Sequence, residues 1–110
     1  MNRETGLEGE ERAVEYLKSF GYTIISRNFR VRSGEIDIIA TNDQEIIFAE
    51  VKFRKSGIFG GAISALPAKR IERLRNAALV YIGENENINK QVKLILLAIQ
   101  GDKISEIALD

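Results

Sequence analysis

The sequence contains no cysteine and no histidine. The first absence excludes disulfides, thiolate nucleophiles and Cys-type zinc sites. The second excludes a Ser-His-Asp triad, His-ligated zinc and an imidazole general base. Any catalysis falls to carboxylates, Lys, Arg, Tyr or hydroxyls. No charge of one sign dominates, since 16 Lys+Arg stand against 16 Asp+Glu. No stretch of about 18 apolar residues is present, so no transmembrane helix is expected. The opening Met1-Asn2-Arg3-Glu4-Thr5-Gly6 leads into acidic residues rather than an apolar run, unlike a signal peptide. The expected location is the cytoplasm, with no membrane partner.

What is present suits a globular protein. With 110 residues, 45% apolar and 29% charged, the chain reads as a single domain over 1–110. It is too apolar and too balanced in charge for disorder.

Hydrophobic spacing predicts a helix over 5–20, with Thr5 and Glu8 as a capping box, Ala13, Tyr16, Leu17 and Phe20 on its apolar face, and Gly21 as its stop. Strands are expected over 22–32, 35–40 and 45–53, separated by Ser33-Gly34 and Asn42-Asp43 turns. The glycine-bearing segment 55–61 reads as a loop; without a Gly-Lys-Ser/Thr ending it is no P-loop. A second helix follows over 65–83, capped by Ser64, with Pro67 in its first turn and Ile71, Leu74, Ala78, Tyr81 and Ile82 inward. The apolar run 92–99 reads as a strand buried on both faces, and 104–109 as a short last strand. The order α-β-β-β-α-β-β predicts an α/β fold, a central mixed sheet flanked by helices.

Strand side chains alternate between faces. Glu35, Asp37 and Ile39 therefore share one face, as do Phe48, Glu50 and Lys52. A two-residue hairpin loop pairs Thr41 with Gln44, and a four-residue loop pairs Thr41 with Ile46. Either register puts Asp37 and Glu50 on one face, at most about 8 Å apart. Like charges this close disfavour the fold unless compensated, either by Lys52 or by a divalent cation; hard oxygen donors suit Mg²⁺ or Mn²⁺. Glu10 or Glu11 would add a carboxylate if the first helix packs near these strand ends. The plain alternative is a solvated strand edge, where charges guard against aggregation.

The runs Gly34-Glu35-Ile36-Asp37 and Phe48-Ala49-Glu50-Val51-Lys52-Phe53-Arg54 resemble the restriction-endonuclease-like, or PD-(D/E)xK, nuclease superfamily. Gly9-Glu10-Glu11-Arg12-Ala13, Gly21-Tyr22, Arg27-Asn28 and Phe59-Gly60 with Lys69 narrow the resemblance to the YraN-like bacterial proteins. The layout is also similar to archaeal Holliday-junction resolvases. The resemblance implies a restriction-endonuclease-like three-layer fold and Mg²⁺- or Mn²⁺-dependent cleavage of DNA. It implies metal-binding roles for Asp37, Glu50 and the helix-borne Glu10, and a catalytic role for Lys52, which orients the attacking water and steadies the developing phosphate charge. Ile36 stands where the superfamily's name has Pro. Lys93-Leu94-Ile95 stands where YraN-like proteins often carry an Arg-aromatic-Asp start.

Charge is unevenly distributed. From Val51 to Gly83 seven basic residues face one acid, Glu72, whereas residues 4–15 hold five Glu and one Arg. Arg30, Arg54, Lys55, Lys69 and Arg73 are candidate phosphate contacts near the carboxylates. On the second helix they would otherwise simply face water. Aromatics, at 7%, favour backbone contact on duplex or junction DNA over base stacking. A homodimer would enlarge the grip of one small domain. Three function classes follow: a metal-dependent endonuclease, a catalytically inactive nucleic-acid-binding module on the same fold, and an interaction protein that uses the sheet edge 103–109.

Overall fold

A computed structural model describes residues 3–54, 66–85 and 88–110, with side chains from residue 6 onward. The elements are α1 (Arg3–Ser19), β1 (Thr23–Val31), β2 (Gly34–Thr41), β3 (Glu45–Arg54), α2 (Ala68–Glu84), β4 (Gln91–Gln100) and β5 (Lys103–Ala108). Their order is the one read from the sequence. They form a five-stranded sheet in the order β1-β2-β3-β4-β5. β1–β2, β2–β3 and β4–β5 are antiparallel hairpins, and β3–β4 is a parallel pair joined across α2.

The sheet is buried on both faces, which accounts for its apolar central strands. On one face, Ala13, Val14 and Leu17 of α1 pack against Ile38, Ala40, Ile47, Ala49, Phe53, Ile95, Leu97 and Ile99. On the other, Leu74, Ala77 and Ala78 of α2 pack against Ile36, Ile39, Ile46, Phe48 and Leu94. The result is three layers, α/β/α. β3 divides its side chains between the two cores, sending Phe48, Glu50 and Lys52 toward α2 and Ala49, Val51 and Phe53 toward α1.

Several boundaries differ from the sequence reading, each for a local reason. α1 begins at Arg3, which puts Thr5 inside the helix rather than at its cap. Its far end closes as expected, with the Tyr22 N–H donating to the Leu17 carbonyl at 3.1 Å and the Gly21 N–H to Lys18 at 3.0 Å. Phe20, expected in the core, sits within this closing turn with its ring tilted against Tyr16, and is exposed. α2 begins only after Pro67, whose backbone is extended at φ −57° and ψ 143°. Ser64, the expected cap, and the loop 55–61 lie outside the described residues. Gly34 opens β2 instead of completing a turn, and a Cβ there would lie 1.8 Å from the Arg73 carbonyl oxygen. The absent side chain is what lets β2 run directly beneath α2.

Candidate functional site

The hairpin between β2 and β3 takes the four-residue register, pairing Thr41 with Ile46 and Ile38 with Ala49. The ladder ends there. Asp37 and Glu50 are next in register, but the Asp37 carboxylate replaces the missing rung, its Oδ2 accepting the Val51 N–H at 2.8 Å. The β1–β2 ladder skips the same point, passing from Arg27–Ile38 to Phe29–Ile36. Between them Asn28 adopts a left-handed conformation, φ 55°, which Asn tolerates better than most residues. β2 therefore kinks at Asp37, and strict alternation fails there: Ile36 and Ile39 both pack on the α2 side.

On that side the sheet holds charge inside an apolar setting. Glu50 is the one buried charged residue among the described residues, 5% exposed, in parallel register with Leu96. Burial pushes the Asp37 carboxyl up to about 7, with the Glu50 charge pushing the same way and the Val51 N–H opposing. Burial also raises Glu50, against the pull of Arg70 and Lys52. Glu35 adds negative charge to both. Asp37, Glu50, Glu35 and Lys52 thus form one electrostatic group, although alternation along β2 breaks at Asp37.

The main counter-charge is one the sequence reading left out of the site. The Arg70 guanidinium, in the first turn of α2, donates through Nη2 to Glu50 Oε2. Glu50 in turn holds the Arg70 guanidinium firmly protonated. In the sequence Arg70 is one of several basic residues on a helix. The helical period tells which face it occupies, not that a buried carboxylate lies below.

Glu10 sits on α1 and is held by β1. Asn28 Nδ2 donates to both its oxygens, at 3.2 and 3.1 Å, and Arg27 Nε donates to Oε1 at 2.7 Å. Arg27 also grips Glu11, through Nη2 at 2.6 Å. The two differ in setting: the Glu10 side chain is largely covered and Glu11 is open to solvent. Asn28 fills the position opposite the Asp37 kink, so Glu10 is anchored next to that kink. No three acidic side chains converge into a cage among the described residues.

Of the expected phosphate contacts, Arg54 and Lys69 are exposed, at the end of β3 and the start of α2. Arg73 is half-buried on α2. Arg30 is exposed and reaches Glu35 at 3.4 Å. Lys55 lies outside the described residues. A second polar group ties the opposite ends of the strands: Glu45 accepts from Tyr22 Oη at 2.5 Å and from Lys93 Nζ at 2.8 Å. Lys93 opens the Lys93-Leu94-Ile95 run noted in the sequence, and the structure pairs it with Glu45. No helix among the described residues is long and apolar enough to cross a membrane.

Comparison with known sequences agrees along nearly the whole chain. Residues 9–104 match the uncharacterised protein family UPF0102. The chain is 39% identical over 99 residues to a UPF0102 protein of Syntrophomonas wolfei, covering 90% of this chain and 86% of the relative. It is 42% identical over 104 residues to one of Shewanella sediminis, covering 94% and 88%. A Neisseria gonorrhoeae relative is 34% identical over 106 residues, covering 96% and 92%.

Proposed function

The chain belongs to the UPF0102 family, the YraN-like group that its motifs resemble, and we propose that it is a Mg²⁺- or Mn²⁺-dependent endonuclease. Its substrate is DNA, including branched or structured duplexes, and its reaction is hydrolysis of the phosphodiester backbone. One observation carries the reading: two carboxylates, the buried Glu50 and the half-buried Asp37, lie next in register at a break in the sheet ladder, with Lys52 two residues along β3 from Glu50.

The donor set fits the ion. Mg²⁺ is usually held by one or two carboxylates, keeps several waters and shares itself with substrate phosphate. Two neighbouring carboxylates that repel each other in an apolar setting suit such a cation, which offsets both the burial and the Glu50 charge that push Asp37 up. Asp37 and Glu50 would hold it; Glu10, the third carboxylate expected from α1, is instead tied to Arg27 and Asn28 and does not converge with them. When bound, a divalent ion polarises a phosphoryl oxygen and makes water nucleophilic near neutral pH, which this His-free chain needs.

The chain's own groups do the rest. The Val51 N–H favours the ionised form of Asp37, the form a metal needs. Lys52 places an ammonium beside Glu50, where it orients the attacking water and steadies the negative charge that grows on the phosphate. Arg30, Arg54, Lys55, Lys69 and Arg73 draw the DNA backbone toward the carboxylates. A second copy of the chain would supply the grip on the other strand. The alternative is an inactive DNA-binding module, which the Arg70 pairing favours, because Arg70 already neutralises a presumptive metal ligand.

The test is a titration of Mg²⁺ and Mn²⁺ with labelled linear duplex, single-stranded and four-way-junction DNA, using wild type beside Lys52→Ala. Metal-dependent cleavage by wild type, lost in Lys52→Ala while DNA binding persists, supports the endonuclease. Tight, salt-sensitive binding with no cleavage supports the binding module.

A further inference from the structure

We propose that Arg70 is the protein's own stand-in for the metal: it occupies Glu50 when no divalent cation is bound and must give that carboxylate up when one arrives. The inference rests on the metal-site reading above and adds to it a residue that sets how tightly the site loads.

Geometry carries the argument. Glu50 is 5% exposed and comes from the middle of a central strand, so its carboxylate cannot turn out to solvent for a partner. Arg70 comes to it from the opposite layer, from the first turn of α2. The two residues differ sharply in exposure: the Glu50 side chain is 6% exposed and that of Arg70 is 47% exposed. The carboxylate is fixed, and the guanidinium is at the end of a long arm that can leave toward water without unpacking the helix. Leu74, Ala77 and Ala78, not Arg70, seat α2 on the sheet.

A cation on Glu50 and a guanidinium on the same carboxylate are like charges competing for one set of lone pairs. Arg70 engages Oε2 directly, and its positive charge also reaches Asp37. A metal held by both carboxylates would therefore meet the Arg70 guanidinium at Glu50 Oε2 and its positive charge at Asp37. Lys52 also lies in the field of Glu50, but it is two residues along the same strand rather than above the carboxylate. Once displaced, the guanidinium remains beside the site with its fork of donors open, a geometry that suits a phosphate oxygen.

The experiment is Mn²⁺ binding, read from the free-ion signal by electron paramagnetic resonance, in wild type, Arg70→Gln, Arg75→Gln and Asp37→Asn. Arg75→Gln removes the same charge from an exposed position farther along α2. Arg70→Gln should bind Mn²⁺ roughly tenfold more tightly than wild type, the size that removing one charge-assisted competitor supports. Arg75→Gln should bind as wild type does, and Asp37→Asn should lose the site. Because Arg70→Gln leaves Glu50 without its partner, melting is followed in parallel. Mn²⁺ should raise the melting temperature of Arg70→Gln by more than that of wild type. If wild type binds and Arg70→Gln binds equally or more weakly, Arg70 is a structural latch and the inference falls while the metal site stands. Equal tightening by Arg75→Gln also overturns it, leaving only general electrostatics. If neither wild type nor Arg70→Gln binds Mn²⁺, the metal-site reading itself has failed.

Discussion

Two carboxylates held together in an apolar sheet work against folding, and Asp37 bears most of that strain. Its carboxyl rises from an ordinary 3.8 to about 7, burial being the main cause. A folded-state value above the unfolded one means the folded protein holds the proton more tightly. The associated stability is fully present below about pH 4 and is lost as pH rises through about 7. Asp37→Asn should therefore be more stable than wild type at pH 8, by on the order of 2 kcal/mol, and nearly equal to it at pH 4. Thermal melts across that range check this. Metal binding follows the opposite slope, since the ion needs the ionised carboxylate: Mn²⁺ affinity of wild type should climb with pH and level off above about 7. At this scale the period-two alternation places Glu50 and Lys52 on one face of β3, and the four-residue hairpin register brings Asp37 beside Glu50 even though alternation along β2 breaks there. Periodicity was not enough for Arg70 or Asn28. Arg70 is a tertiary partner of Glu50, 20 residues away, and helical spacing does not say what lies across a layer boundary. Asn28 matters through a left-handed backbone and its two bonds to Glu10, which no periodicity encodes.

The elements meet where glycine allows it. β2 starts at Gly34 directly under the Arg73 carbonyl, so Gly34→Ala must push α2 off the sheet and take Arg70 with it. It should destabilise by about 2 kcal/mol or more in denaturant melts, well above the usual effect of a point change. Gly83, also on α2, has nothing within 4 Å of where a Cβ would stand. Gly83→Ala should stabilise by about 0.5–1 kcal/mol through helix propensity alone. The contrast separates close approach from conformational freedom. Element order and type were legible because each segment is strongly periodic and bounded by turn residues. Boundaries were less so. Pro67 reads equally well as a first-turn residue or as the residue before the helix, and its extended backbone decides for the second. Phe20 fits the helical apolar stripe by spacing, yet the closure at Gly21 ends the helix first and leaves the ring outside.

At the scale of the molecule, zero net charge hides a polarity: acidic side chains on α1, basic ones on α2 across the sheet. If DNA lies along the α2 side, its affinity falls with salt with a slope of about −0.9 per phosphate neutralised on duplex. Arg73→Gln should weaken binding about equally on linear and branched DNA and flatten that slope by about 1. Binding isotherms at several salt concentrations test it. The three-layer architecture follows from the sequence because β4 is apolar from Leu94 to Ile99 and must be covered on both faces, whereas β1 and β5, at the edges, are half-exposed. Under the proposed endonuclease activity, these layers hold two carboxylates for phosphodiester cleavage. The most direct test of that activity is Mn²⁺-dependent cleavage of a labelled four-way junction and its linear duplex arms by wild type and Asp37→Asn, with the melting temperature of each measured in the same buffer at pH 8. The account predicts that Asp37→Asn melts higher than wild type and cuts nothing, so its inactivity is chemical and not a failure to fold. Cleavage by Asp37→Asn at the wild-type rate, or none by wild type on any DNA with either metal, would contradict it.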